Sequence, residues 1–253
     1  MIAVERKQRI IEYVKQHYLA SVAQLAKEFD VHEATIRRDL SEIEKEGTLR
    51  RTHGGVVLAQ DISSEPNFSE RVMENTNEKE RIGALAASLI EEGDTIILDS
   101  GTTTLQIVKH ILNFNQLTII TNDINIAVEL RNASHLKVFV TGGVLTPGSF
   151  MLNGMHTNEM LRTVQVNKAF IGTPAINARS GLMHFDDQLV PAKKEMIRVA
   201  REIIVVADHT KLGRVSLHNV SSINDVHHLV TDVGASKEEI DLFKQENVQI
   251  FQA

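Results

Sequence analysis

One stretch of the chain concentrates groups suited to holding an anion. Asp99-Ser100-Gly101-Thr102-Thr103-Thr104 follows the apolar run Thr95–Leu98 and leads into a helical pattern over Thr103–Leu112. A buried strand that passes into a helix through such a loop converges amides, hydroxyls and the positive end of the helix dipole on one spot. That arrangement suits a phosphate. The loop lacks the glycine spacing and lysine of a P-loop and carries no GxGxxG fingerprint, so a nucleoside triphosphate is not expected. Capping of the following helix by Ser100 or Thr102 alone is the competing structural role.

A second concentration is basic. Thr35, Arg37 and Arg38 share the outer face of a short helical pattern that opens with Glu33 and Ala34, and Arg50, Arg51 and His53 follow in a segment with hairpin character. Side chains of these types reach base edges in a groove and phosphates on the backbone. The alternative is a solvated helical bundle whose arginines pair with Asp39, Glu42 and Glu44. The eleven histidines form no HExxH or other ligand spacing. With no cysteine there is no disulfide, thiolate site or catalytic thiol. Neither a metal nor a cofactor is expected.

The elements that would carry the basic groups are legible. Ile10, Ile11 and Val14 recur at helical spacing within 5–16. Ser21 stands three residues before Gln24 at the head of an apolar run, the pattern of a capping box. The helix it starts offers Val22, Leu25, Ala26 and Phe29 to a core and ends at Phe29-Asp30. The next begins near Glu33, turns Ile36, Leu40 and Ile43 inward and stops near Gly47. Two short helices across a tight turn read as a helix-turn-helix. Residues 48–53 and 56–58 then flank Gly54-Gly55 as two strands of a basic wing would.

Residues 59–77 are polar, contain one of only four prolines and read as a linker, with a short helical piece over 68–74. A helix follows over 78–90. Beyond it, apolar runs at 95–98, 117–120, 137–140, 169–171, 203–207 and 228–230 alternate with helical patterns at 103–112, 124–130, 157–164, 191–200 and 237–245. Strands buried on both faces and separated by helices specify a mainly parallel α/β sheet. Almost every run ends in small or polar residues, including Thr121-Asn122-Asp123, Thr141-Gly142-Gly143, Gly172-Thr173 and Asp208-His209. Open α/β sheets take ligands at those ends, although turns after strands are polar in any case. Thr231-Asp232 is assigned to turn chemistry alone.

The domains expected are therefore 1–58 for DNA, a linker over 59–77, and 78–253 for effector sensing and oligomerisation. The net charge of −6 would argue against nucleic acid if it were spread evenly. Residues 1–58 hold ten Lys/Arg against nine Asp/Glu, about +1, and the remainder seventeen against twenty-four, about −7. The first ten residues lack a signal peptide's apolar stretch, and no run spans a bilayer. A cytoplasmic location with no membrane partner is the expectation.

The residues Thr35-Ile36-Arg37-Arg38-Asp39-Leu40, Leu49-Arg50-Arg51 and His53-Gly54-Gly55 resemble the DNA-binding signature of the DeoR family of bacterial transcriptional regulators. That family usually places a serine as N-cap where this chain has His32. LDSGTTT at 98–104, TND at 121–123, TGG at 141–143, KAFIG at 168–172 and VADHTKLG at 206–213 are similar to its C-terminal sensor. The resemblance covers nearly the whole chain. It implies a winged helix-turn-helix followed by a sensor with the fold of ribose-5-phosphate isomerase, responsive to a phosphorylated sugar.

Carried over, Ser100, Gly101, Thr102, Thr103 and Thr104 would hold the phosphate, and Asp99, Asn122, Gly142, Gly143 and Gly172 would line the sugar pocket. Lys193 matches the family's pocket lysine, and Asp208 with Lys211 its Asp-x-x-Lys pattern. Two departures stand out. Thr173-Pro174-Ala175 replaces the usual Ala-Asp-Gly, and Gln188-Leu189 replaces a Glu-Glu pair. An isomerase needs a carboxylate base, so their loss counts against catalysis. The expectation is a homo-oligomeric repressor of a carbohydrate operon, binding operator DNA and a sugar phosphate. The alternatives are a sugar-phosphate isomerase with an appended domain, and a regulator with a degenerate pocket.

Overall fold

A computed structural model describes residues 3–17, 19–45, 48–51, 55–58 and 68–253. The chain divides into two compact units, one holding the elements through Leu58 and the other those from Phe68 onward.

In the first unit, helix α1 (Ala3–His17) is followed by strand β1 (Leu19–Ser21), helices α2 (Val22–Glu28) and α3 (Glu33–Lys45), and strands β2 (Leu49–Arg51) and β3 (Gly55–Leu58). Its core is small: Ile10, Val14, Leu25, Ile36, Leu40, Ile43, Leu49 and Val56 are essentially solvent-free. The capping box forms as its spacing requires, with the Ser21 hydroxyl accepting from the Gln24 amide at 3.1 Å. The Gln24 side chain in turn accepts from the Ser21 amide at 2.8 Å.

The wing departs from the expected two-stranded hairpin. β3 pairs antiparallel with both β2 and β1, giving the order β1-β3-β2. Gly55 is not a turn residue but the first residue of β3, and a Cβ there would come within 2.3 Å of the Ala20 carbonyl oxygen. Close approach of β1, rather than backbone reversal, demands the glycine. Gly47 and Gly54 lie outside the described residues.

The second unit opens with α4 (Phe68–Met73) and α5 (Thr76–Ala87). Three strand-and-helix units follow: β4 (Thr95–Leu98) with α6 (Thr104–Ile111), β5 (Thr118–Thr121) with α7 (Ile124–Leu130), then β6 (Lys137–Val140), the hairpin β7 (Val144–Thr146) and β8 (Met151–Asn153), and α8 (Met155–Arg162). Next come β9 (Val166–Gly172), β10 (Ala175–Asn177), β11 (Gly181–His184), α9 (Val190–Val199), β12 (Ala200–Val206), β13 (His218–Ser221), β14 (His228–Thr231), α10 (Lys237–Gln245) and β15 (Gln249–Gln252). The main sheet has the order β15-β14-β12-β9-β4-β5-β6, and all of its pairings are parallel. The six strands read from apolar runs are all present. The seventh, β15, offers only Ile250 and Phe251 as an apolar signal.

Two hydrophobic cores lie on the two faces of this sheet. Ile97, Ile120, Ala169, Ile171 and Val205 point into one, and Ile96, Leu98, Ile119, Phe170 and Val206 into the other. The strict alternation along β4 and β9 is what a strand covered on both sides must show. The separate sheet β10-β11-β13 is antiparallel and departs from the expected single sheet, because none of its strands contains more than two consecutive apolar residues.

Candidate functional site

In the first unit the surface of α3 carries the groups expected to face DNA. The carbonyl of His32 accepts from the Thr35 amide at 2.9 Å, and its imidazole Nδ1 accepts from the Ala34 amide at 3.3 Å. Histidine therefore supplies the N-terminal cap that serine gives elsewhere. Ala34, Arg37 and Arg38 are exposed, and Glu33 and Thr35 are half-buried. The Arg37 guanidinium lies 2.8 Å from Glu33 and that of Arg38 lies 3.6 Å from Glu42, each pair one helical turn apart, with the arginine side chains 58% and 83% exposed.

Asp39, by contrast, is buried and receives two hydrogen bonds from Arg6, at 2.6 and 3.1 Å, which raise that guanidinium's pKa further. Arg6 thus docks α1 on α3 and leaves Arg37 and Arg38 to glutamates alone. Lys7 adds a bond of 3.1 Å to Glu42 and holds that carboxyl below its ordinary pKa. Arg50 and Arg51 lie on β2, paired with Val57 and Val56. His53 lies outside the described residues.

In the second unit the polar strand ends meet at one edge of the sheet, because β12, β9, β4, β5 and β6 are neighbours and parallel. Asp99, at the end of β4, is fully buried. Its Oδ2 accepts from the Lys193 ammonium of α9 and, at 3.1 Å, from the Gly172 amide at the end of β9. Lys193 also donates to the Gly172 carbonyl at 2.8 Å. Burial pushes the Asp99 carboxyl above its ordinary pKa, against the pull of Lys193. The other oxygen, Oδ1, is buried with no hydrogen-bond partner, an expensive condition for a carboxylate unless a ligand supplies a donor.

The loop after Asp99 is not spent on capping. The N-cap of α6 is Thr103, whose side chain makes no cap bond. The Ser100 hydroxyl donates instead to Asp123 at 2.6 Å, and that of Thr104 to the Gly101 carbonyl at 2.9 Å. The Ser100 amide donates to the Asn122 side chain at 3.1 Å. The buried residues 100–104 are thereby fixed with the start of α6 uncapped by any side chain.

Asp123, which the sequence reading did not place at the site, organises this corner. It caps α7 by accepting from Asn125 at 2.7 Å and Ile126 at 3.2 Å, while burial raises its pKa against the Ser100 hydroxyl and those amides. An aspartate one residue before a helix is an N-cap signal that a sequence reading could have used.

Gly142 and Gly143 both have positive φ, at 70° and 121°. The Gly142 carbonyl accepts from Thr157 at 2.6 Å, and a Cβ on Gly143 would meet the Thr157 hydroxyl at 2.3 Å. Asp208 and Lys211 share the same sheet edge but form a separate cluster. Asp208 accepts from Asn75 at 3.2 Å and from the Thr210 amide at 3.0 Å, and no hydrogen bond joins it to Asp99 or Lys193. The buried Lys79 donates to the carbonyls of Arg71 and Glu74, the latter at 2.6 Å. Burial lowers its pKa while Asp208 opposes the shift.

His184, on β11, is pushed down to about 3, first by burial and then by the charge of Lys193. Its Nδ1 accepts from the Asp186 amide at 3.1 Å. The departures have structural roles: Thr173 donates to the carbonyls of Ala175 and Met183, and Leu189 is buried at the N-cap of α9. Asp232, left to turn chemistry, holds His209 through bonds of 2.7 Å to its amide and 2.8 Å to its ring.

Residues 6–61 match the DeoR-like helix-turn-helix domain, and residues 74–233 match the DeoR C terminal sensor domain. The chain belongs to the DeoR family. It is 36% identical over 250 residues to the HTH-type transcriptional regulator YulB of Bacillus subtilis, covering 99% of this chain and 96% of that protein. The transcriptional repressor GlcR of the same organism is 34% identical, with 99% and 96% covered. The glycerol-3-phosphate regulon repressor of Escherichia coli is 30% identical, with 99% of each chain covered. Among solved structures, ribose 5-phosphate isomerase A of Methanocaldococcus jannaschii aligns over 55% of each chain at 16% identity and a TM-score of 0.41, a likeness too loose to bear on function.

The DeoR-family chain is thus a DNA-binding transcriptional regulator with an α/β sensor. No described helix is long and apolar enough to cross a membrane.

Proposed function

We propose that this regulator represses genes of carbohydrate use and that a phosphorylated sugar bound in the second unit releases it from DNA. The observation that carries the effector reading is the buried, unpartnered Oδ1 of Asp99 beside Lys193, next to a helix start that no side chain caps. A sugar hydroxyl would donate to Oδ1, while its phosphate would take the amides of Gly101, Thr102, Thr103 and Thr104 and the hydroxyls of Thr102 and Thr103, with the hydroxyls of Ser100 and Thr104 holding the loop in place. Asn122, Gly142, Gly143 and Gly172 would shape the rest of the pocket, and Asp208 with Lys211 would close its far side.

On the other unit, Thr35, Arg37 and Arg38, with Glu33 and Ala34, would enter the major groove. Arg50, Arg51 and His53 would grip the backbone. The division into 1–58 for DNA and 78–253 for sensing, with a connection between, belongs to the same proposal, as does a cytoplasmic location. Regulation requires that the sugar bind the DNA-competent and incompetent states unequally, since equal affinity shifts nothing.

The Asp99–Lys193 pair is a binding device here and not a catalytic one. The test adds sugar phosphates singly to a protein–operator complex in a gel shift, with product analysis in parallel. Release of DNA by one of them without turnover is the expected result. Turnover without release would establish the isomerase reading, and neither effect would leave a DNA-binding protein with a vestigial pocket.

A further inference from the structure

The chain enters the second unit through α4, the first described element after β3, and both ends of that short helix are fastened to the sensor. At the front, the Phe68 amide donates to the carbonyl of Gly148, in the turn of the β7–β8 hairpin, at 3.1 Å. The buried Phe68 ring meets that of Phe150 edge-on, with centroids 5.6 Å apart. At the back, Asn75 stands at the N-cap of α5, a position where asparagine normally bonds the first turn. It makes no cap bond. Its side chain reaches Asp208 instead, and Lys79 gathers the carbonyls of Arg71 and Glu74 at the end of α4.

Residues at both fastenings hold left-handed backbone. Phe150 has a φ of 59° and Asn75 one of 47°. A bulky aromatic residue at positive φ is uncommon and persists only where its surroundings over-determine it. The contacts around Phe150 are of that kind. Its carbonyl accepts from the Ile124 amide at 3.1 Å, and the Leu152 amide donates to the Asn122 carbonyl at 2.7 Å. The Asn122 side chain donates back to the Leu152 carbonyl at 3.3 Å, and its Oδ1 accepts from the Ser100 amide. A path of hydrogen bonds and one ring contact therefore runs from the loop after β4, through Asn122 and the hairpin, to Phe68.

We infer that Phe150 and Asn75 are positioning residues through which α4 follows the state of the candidate pocket, making this helix the relay toward the DNA-binding unit. The inference rests on the proposal that residues 100–104 and Asn122 receive the effector. A ligand that takes the amides of that loop acts on Asn122, and through it on the hairpin that seats Phe68. Asp208, on the far side of the pocket, holds the other end through Asn75. The helix is thus tied to two sides of one pocket, and a ligand that changes their spacing acts on both of its ends. Coupling between sites needs an element with two arrangements that both sites bias. A six-residue helix pinned at each end beside a left-handed residue fits that need.

Hydrogen exchange of the full chain, read by mass spectrometry, tests the relay. N122A should speed exchange over residues 68–79 about 10-fold and leave α10 unchanged. Saturating inorganic phosphate should slow exchange at both 100–104 and 68–79 in the wild type. In F150A it should slow 100–104 to the same extent and leave 68–79 unaffected, a separation that a merely structural role for Phe150 would not produce. N75A, outside the proposed pocket, should uncouple 68–79 from phosphate in the same way, which keeps the inference open to failure even where N122A unfolds. Coupling is reciprocal, so a duplex selected by the wild-type chain from a random DNA pool should alter exchange at 100–104 by about threefold in the wild type and not in F150A. Unchanged exchange over 68–79 in N122A, phosphate protection of 68–79 that survives in F150A, or an equal response of the two proteins to DNA would overturn the inference. Absence of protection at 100–104 in the wild type would remove the anion reading alone, with N122A and the DNA arm still deciding the relay.

Discussion

The two units hold their charges in opposite ways. On α3 the arginines proposed for DNA stand in water, each paired with a glutamate one turn away that a phosphate can replace at little cost. In the sensor, Lys193 and Asp99 are sealed from solvent, and one oxygen of the carboxylate is left without a hydrogen-bond partner. A surface that must trade partners with a polyanion keeps its cations loosely engaged. A pocket built for one small molecule would pre-set its polar groups and keep some of their bonding capacity for the ligand.

The sharpest way to break this comparison is to remove the buried partner. Lys193→Met should destabilise the sensor by about 3–5 kcal/mol by leaving Asp99 buried and uncompensated, measured by urea unfolding, and should abolish any thermal shift with sugar phosphates. A loss no greater than a surface substitution causes would mean that water already reaches the pair. Next in size, Arg37→Ala with Arg38→Ala should cost about 1–3 kcal/mol of operator binding per lost base contact while the melting temperature stays near wild type. Retained binding in a gel shift would remove α3 from the DNA interface.

His184 tests the sensor through pH. Its folded pKa of about 3 lies below the ordinary 6.5 of an unfolded chain. The unfolded state therefore takes up a proton that the folded state refuses as pH falls through 6.5. The resulting stability is fully present above 6.5 and drains away toward pH 3. His184→Gln should flatten the stability–pH slope between these limits by up to about 1.4 kcal/mol per pH unit. An unchanged slope would place the imidazole in water. The smallest effect belongs to the first unit: Ser21→Ala should cost about 1 kcal/mol, read from unfolding of the N-terminal unit, because only a local cap is lost.

Much of this was written locally. The capping box at Ser21 and Gln24, the inward set Ile36, Leu40 and Ile43, and the six apolar strands of the main sheet follow from side-chain type at fixed spacing, and the structure contains each of them. The elements that went unread had no local signal. β1 is three residues long and exists because β3 offers it an edge, and the purpose of Gly55 appears only when the Ala20 carbonyl lies against it. Strands β11 and β13 are as long as β4, β5 and β6, but with β10 they mix glycine, histidine and asparagine with at most two consecutive apolar residues.

The sequence by itself determined the order of helices and strands, the basic faces and the polar strand ends, since those depend on neighbours within one or two turns. Tertiary structure alone decided which charges are partnered and which are buried. Asp39 faces Arg6 across 33 residues, Asp99 faces Lys193 across 94, and Asn75 reaches Asp208 across 133. The energy of a buried carboxylate is set by whatever the fold brings to it from far along the chain, and residue spacing carries no trace of that.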